Sequence, residues 1–173
     1  MPKVPPIPEL EFISLTYNHA EFSRKLQTLN LQSPDILEFA HHVASCWYAL
    51  AEEHLDDAKN ALNNMRVRAV YSRSYYAAYN ASKFARYVVS GAVSLKGNDH
   101  SFASANLPGN IPDVAKWSQI ITQLYQCRLT ADYDNWADSL SGLPLTPSEA
   151  VQNASDFVSM IKQYAAATLG LSV

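Results

Sequence analysis

The sequence predicts an all-α protein, an antiparallel bundle of four main helices with shorter helical pieces. The chain has 173 residues, of which 48% are hydrophobic and only five are glycine, so long stretches lack the residues that break helices. Apolar residues recur every three or four positions along several segments, which is the period of a helix buried along one face. Most connections are short enough to make successive helices antiparallel neighbours in an up-and-down arrangement.

The first part of the chain, residues 1–32, begins with several prolines and holds one short amphipathic stretch from about His19 to Leu29. We expect it to form an extension that packs on the bundle. The chain is long enough for one domain with a core and short for two. Residues 33–173 are therefore predicted to be a single helical domain.

Two long helices are predicted next. Ser33-Pro34-Asp35 is typical of a helix start, with an N-cap, a first-turn proline and a first-turn acid. The apolar stripe that follows runs to Met65, with a break near Asn63-Asn64. A second helix is expected from about Val67 to Ser90, closed by Gly91.

The apolar and alanine-rich face of this second helix is predicted to point inward. Several basic and tyrosine residues fall on the other side, where we expect solvent or a partner: Arg68, Tyr75, Tyr79, Lys83 and Arg86.

The second half of the chain contains two more main helices. Residues 91–111 should form a loop with a short helix at Ser101 to Asn106, after which Pro112-Asp113 opens a helix to about Ser139. Thr146-Pro147-Ser148-Glu149 fits a capping box with a first-turn proline. It should start a last helix that runs to about Leu169.

One charged residue lies on the apolar stripe of the third main helix. Arg128 follows Trp117, Ile121 and Leu124 on that stripe, so its guanidinium is predicted to point inward. A buried charge is costly unless it is paired, and Asp132, one turn later, is the natural partner. The pair is either a structural ion pair or part of a site.

The charge distribution is uneven although the net charge is only −3. The segment from Lys59 to Lys96 holds seven of the 13 basic residues and no acidic one. These cations either pair with acidic neighbours in the fold or across a dimer, or form a patch for phosphate or an acidic partner.

Other function classes find little support in the sequence. No apolar run could span a bilayer and no signal peptide is recognisable, so we expect a cytoplasmic protein without a membrane role. His41, His42 and His54 fit no metal-ligand spacing. No glycine-rich phosphate loop or nucleophile elbow occurs, and we expect no metal and no cofactor.

Four motifs in order resemble the HEPN superfamily, especially its small bacterial and archaeal members. The resemblance covers about Ala51 to Asn135. The motifs are Ala51-x-x-x-Leu55-x-x-Ala58, Ser72-Arg73-Ser74-Tyr75-Tyr76-Ala77-Ala78-Tyr79, Asp99-His100-Ser101, and Arg128-Leu129-x-Ala131-Asp132-Tyr133.

The resemblance implies an antiparallel bundle of four or five helices that dimerises around a shared cleft. Many members are metal-independent endoribonucleases of toxin-antitoxin or phage-defence systems, often beside a nucleotidyltransferase-fold partner, and others are non-catalytic binding modules. The nuclease branch uses an arginine followed four to six residues later by histidine. Arg128 matches this arginine, but Asp132, Tyr133 and Asp134 stand where the histidine is needed.

The missing histidine matters because cleavage by a ribose 2′-hydroxyl needs a proton acceptor, a proton donor and positive charge at the phosphate. Histidine supplies the proton transfers near neutral pH, whereas Asp132 is a weaker base and repels phosphate. His100 could replace it if its loop folds toward Arg128. A capping or scaffold role for His100 is the simpler interpretation.

The predicted function is therefore a non-catalytic, dimeric HEPN-like module that binds a nucleotide, RNA or a protein partner. The residues expected to form its binding site are Arg73, Tyr76, His100, Arg128, Asp132 and Tyr133. One alternative is a divergent metal-independent endoribonuclease that uses Arg128 and His100. The other is a dimerisation scaffold in which the polar cluster only fixes the helix register.

Overall fold

The computed structural model of the protein describes residues 18–28, 34–93, 99–136, 140–171 and 173. All regular elements within these ranges are helical, which confirms the predicted all-α bundle. The helices are α1 (His19–Thr28), α2 (Pro34–Asn63), α3 (Val67–Ser90), α4 (Phe102–Ala105), α5 (Val114–Tyr133) and α6 (Pro147–Tyr164). A 3₁₀ turn, Asp99–Ser101, precedes α4, and a π-helical turn, Ala165–Leu169, continues α6.

The centre of the bundle is α3, which packs against α2, α5 and α6, whereas α5 and α6 touch each other only slightly. Its small residues Ala77, Ala78 and Ala81 are fully buried, and they let the neighbouring helices approach closely. Phe84 and Phe157 are also fully buried within this core.

Cross-helix contacts show that the four long helices alternate in direction. The Tyr48 hydroxyl near the middle of α2 donates to the Val158 carbonyl near the end of α6, while Val151 near the start of α6 packs in one cluster with Ala58 near the end of α2. The start of α3 similarly lies beside the end of α5, because Arg68 donates to the Ala131 carbonyl. The bundle is therefore up-and-down, as predicted.

The turn between α2 and α3 closes with a Schellman motif. The Arg66 N–H donates to the Ala61 carbonyl, and the Met65 N–H donates to the Leu62 carbonyl. Met65 occupies the left-handed region with φ 54°, although glycine is the residue that adopts this conformation at least cost. The predicted break near Asn63-Asn64 is confirmed.

The start of α6 also follows the prediction. Thr146 Oγ1 accepts from the Glu149 N–H, and Glu149 Oε2 accepts from the Thr146 N–H. This capping box satisfies donors that no carbonyl inside the helix can reach.

The prediction that the third main helix continues to Ser139 is wrong, because α5 ends at Tyr133. Asp134 turns to an extended conformation, with φ −95° and ψ 115°, and its side chain accepts from the Trp136 N–H. Arg68 donates to the Ala131 and Trp136 carbonyls. An arginine from another helix thus satisfies carbonyls at this helix end, a contact that sequence pattern does not reveal.

The predicted exposed side of α3 is also wrong. Tyr75 and Arg86 are buried, and Tyr79 and Lys83 are half-buried. The prediction assumed a helix with one buried face, whereas α3 has neighbours on several sides.

The N-terminal helix contacts the far end of α3. His19 Nε2 lies 2.9 Å from the Tyr87 carbonyl oxygen. Gly91, with φ 70°, lies so close to Ala20 that a Cβ there would be 2.4 Å from the Ala20 Cβ. The predicted domain boundary between residues 32 and 33 lies outside the described residues.

No helix among the described residues is long and apolar enough to cross a membrane.

Replacing Met65 by glycine should stabilise the protein. Its side chain is 86% exposed, so little packing is lost, and relief of the left-handed conformation should raise the free energy of unfolding by about 1 kcal/mol. Urea denaturation measures this. Met65→Ala keeps the strained conformation and should change stability little, and equal gains from the two variants would contradict the explanation.

Candidate functional site

Arg128 lies buried between α5 and α3 with three polar neighbours. Its Nε is 2.7 Å from Asp132 Oδ2, a contact of opposite charges in which the N–H bond does not point at that oxygen. Nη2 donates to the Tyr76 hydroxyl at 2.8 Å and to the Tyr133 hydroxyl at 3.2 Å. We call these four residues the Arg128 cluster. Only 8% of Arg128 is exposed, as the sequence pattern predicts.

The outer side of the Arg128 cluster faces solvent. Tyr133 is 71% exposed, and the centre of its ring is 4.9 Å from the Arg128 guanidinium carbon. The Asp132 side chain is one quarter exposed. Among the described residues, Arg128 Nη1 has no hydrogen-bond partner. The arginine is therefore fixed on one side and able to donate to a ligand on the other.

His100 lies beside this cluster within a group of aromatic rings. Its Nδ1 is 2.8 Å from the Tyr75 hydroxyl, and its ring centre is 4.7 Å from that of Tyr79 and 6.2 Å from that of Tyr76. Burial, and secondarily the positive charge of Arg128, lower the pKa of His100. Both effects favour the neutral form of its imidazole.

A buried ion pair holds the His100 segment on α3. Arg86 donates to both Asp99 oxygens, at 3.0 and 2.9 Å, and the two side chains are only 5% and 3% exposed. Tyr79 also donates to Asp99, and Ser82 donates to the Ala103 carbonyl. Burial alone would raise the pKa of Asp99, but its contacts with Arg86 and Tyr79 outweigh burial and lower it.

Arg73 lies at the edge of the same region, on the side of α2. Its Nη1 is 3.2 Å from His54 Nδ1, and its Nε is 3.7 Å from Asp57 Oδ2. The His54 ring is 5.6 Å from the Tyr76 ring, centre to centre. Burial and the charge of Arg73 lower the pKa of His54.

The structure thus brings the six predicted site residues into one region, with different degrees of contact. Arg128 is in direct contact with Tyr76, Asp132 and Tyr133. His100 lies beside Tyr76, and Arg73 contacts His54, whose ring lies beside Tyr76. Their role in binding or catalysis stays a prediction. Within the described ranges, no three His, Cys, Asp or Glu side chains could hold a metal ion together.

Most cations of the basic segment are committed to contacts inside the fold. Arg86 pairs with Asp99, Lys59 pairs with Asp56 at 3.2 Å, and Lys83 lies 4.8 Å over the Trp47 ring. Arg68 binds backbone carbonyls at the end of α5. The Arg66 guanidinium has neither a charged nor an aromatic partner among the described residues.

Three elements of the site were not assigned from the sequence. Asp99 belongs to one of the four HEPN-like motifs, but helical periodicity predicts an exposed position for its partner Arg86. For His54 the sequence offers only the metal-ligand spacing, which it does not fit, although this residue shares the apolar stripe of α2 with Trp47 and Ala51. Arg68 could be found only from the tertiary fold.

Comparison with known families gives a match over most of the chain. The family model of the HEPN domain matches residues 44–164, which is more than half of the chain. The protein therefore belongs to the HEPN domain family. Neither the curated proteins nor the solved structures gave a match.

The two members of the ion pair should differ in their effect on stability. Asp132→Ala leaves the buried Arg128 charge without a counter-charge and should cost about 3 kcal/mol, whereas Arg128→Ala leaves a carboxylate that water can reach and should cost about 2 kcal/mol. Urea denaturation of both variants and of the double variant measures the coupling. The double variant should lose about 1–3 kcal/mol less than the sum, and strict additivity would exclude a coupled pair.

The contribution of His100 to stability should depend on pH. Because its pKa in the folded state lies below the ordinary value of 6.5, folding favours the neutral ring. This contribution is complete above about pH 6.5 and is lost as the pH falls from there through the folded pKa. The glutamine of His100→Gln cannot titrate. The unfolding free energy of the wild type, relative to that of the variant, should therefore fall from pH 7 to pH 5. A constant difference across this range would show that His100 titrates normally.

Proposed function

We propose that this HEPN protein is a non-catalytic homodimeric module that binds RNA or a nucleotide at the Arg128 cluster. The observation that carries the proposal is the geometry of Arg128. Its guanidinium is held in place by Asp132 and Tyr76, and it retains one nitrogen that can donate outward. A positioned guanidinium is well suited to phosphate oxygens.

The exposed Tyr133 ring adds a second element of recognition. A nucleobase can stack on an exposed aromatic face without regard to its identity, and Tyr133 presents such a face next to Arg128. A phosphate and a neighbouring base could therefore bind at the same place. This combination supports RNA or a nucleotide better than an isolated phosphate.

The proposal that the module is non-catalytic rests on Asp132. Its carboxylate occupies the motif position where the nuclease branch has histidine, and it lies 2.7 Å from Arg128 Nε. It offsets positive charge that a nuclease would direct at the phosphate in the transition state.

The biological setting follows from the family resemblance alone. We propose a toxin-antitoxin or defence system, with a nucleotidyltransferase-fold protein as partner and a second copy of the chain across the shared cleft. Light scattering of the purified protein measures its oligomeric state.

A divergent metal-independent endoribonuclease is the second candidate, and the position of His100 favours it. The Asp99–Ser101 turn places His100 beside Tyr76 of the Arg128 cluster. The lowered pKa of His100 favours the neutral ring, which is the form that can accept a proton. A purely structural scaffold is the third candidate, in which the cluster only fixes the register of α3 and α5.

Labelled single-stranded RNA in buffer with EDTA separates the three candidates. We expect binding by fluorescence anisotropy without cleavage on a gel, and Arg128→Ala should weaken binding about tenfold or more because a charge-assisted hydrogen bond is lost. Lys116→Ala, an exposed change near the other end of α5, should have no effect.

The other outcomes identify the alternatives. RNA cleavage that is lost in both Arg128→Ala and His100→Ala, with both variants folded by circular dichroism, would establish the nuclease. Equal RNA affinity of wild type and Arg128→Ala would reject the Arg128 cluster as the binding site. If neither binding nor cleavage is detected, the structural scaffold is the remaining candidate.

A further inference from the structure

We propose that the binding surface extends from the Arg128 cluster into a groove between the end of α2 and the start of α3, so that the ligand is single-stranded RNA several nucleotides long. This inference rests on the proposed function, because it names the class of ligand that the same site takes. A mononucleotide would fill only part of the surface.

The groove has a volume of about 300 Å³, and most of its lining residues are polar or charged. Arginines and side-chain amides lie along it, and such groups neutralise phosphates and form hydrogen bonds with base edges. Its lining residues are Asp57, Asn60, Ala61, Asn64, Arg66, Ala69 and Arg73.

The two arginines of the groove are available to a ligand. Arg66 is exposed and has no charged partner among the described residues. Arg73 is held loosely, since its contact with Asp57 is 3.7 Å long and both side chains are about half exposed. An exposed pair of this kind contributes little to stability, so a phosphate can compete with Asp57 for Arg73.

A line of contacts connects this groove to the Arg128 cluster. Arg73 contacts His54, the His54 ring lies against Tyr76, and the Tyr76 hydroxyl accepts from Arg128. Two arginines of the groove are thus followed by two adjoining rings and then by Arg128. Cations combined with flat rings suit a single strand, whose phosphates and unpaired bases are both accessible.

The length of the surface sets the size of the ligand. Arg66 and Tyr76 are ten residues apart on or next to α3, which is ~15 Å along a helix axis. At a rise of ~3.4 Å per nucleotide in a stacked strand, this distance corresponds to about four nucleotides. Contact with both ends therefore requires an oligonucleotide.

Fluorescence anisotropy with labelled uridine octanucleotide and labelled diuridine tests the inference on the full chain. We expect the octanucleotide to bind about tenfold more tightly than the dinucleotide. Arg66→Ala should weaken octanucleotide binding about three- to tenfold and reduce the salt dependence by about one phosphate contact. It should leave dinucleotide binding unchanged.

The matched control is Arg24→Ala, which removes an exposed arginine on α1. Helix α1 contacts the opposite end of α3 through His19. This control variant should change neither affinity. Equal affinities for the two RNAs, or an octanucleotide affinity that Arg66→Ala does not change, would overturn the extended surface while leaving the Arg128 site intact. Failure of the wild type to bind either RNA would overturn the proposed function and this inference together.

Discussion

Burial of α3 on several sides is the constraint on which the rest of this structure depends. A helix in this position buries several of its polar side chains, and a buried polar group without a partner is costly. Arg86 meets this requirement with Asp99, and Tyr75 meets it with His100. The 3₁₀ turn at Asp99–Ser101 lies against α3 because it supplies these partners, and the position of His100 is a consequence of that docking.

The same constraint explains the Arg128 cluster. Tyr76 on α3 and Arg128 on α5 face each other at a boundary that is neither fully buried nor open. Arg128 needs a counter-charge, and Asp132 one turn later supplies it at low conformational cost. Tyr133 follows directly, and the end of α5 at that residue leaves its ring in solvent. The site thus forms at the end of α5, where the charges are paired and the carbonyl groups find donors.

Much of this arrangement could be predicted from the sequence, because local signals determined it. The capping box at Thr146, the break after Asn63, and the inward direction of Arg128 all follow from spacing within one helix. The end of α5 and the burial of Arg86 could not be predicted in the same way. Both depend on partners more than ten residues away, namely Arg68 for the α5 carbonyls and Asp99 for Arg86, and helical periodicity carries no information about such partners.

Aromatic residues lie between the Arg128 cluster and the segment that holds Asp99 and His100, and they determine how strongly the two are coupled. Tyr75 and Tyr76 are adjacent on α3, and Tyr75 contacts His100 while Tyr76 contacts Arg128. A shift of the His100 segment would therefore be transmitted through the neighbouring rings. Because a close-packed group of rings has few alternative arrangements, we infer that the Asp99–Arg86 pair holds Tyr76 in position as well as His100. The contacts run from Asp99 through Tyr79 and Tyr76 to Arg128, so the ion pair and Arg128 share one packed group of rings.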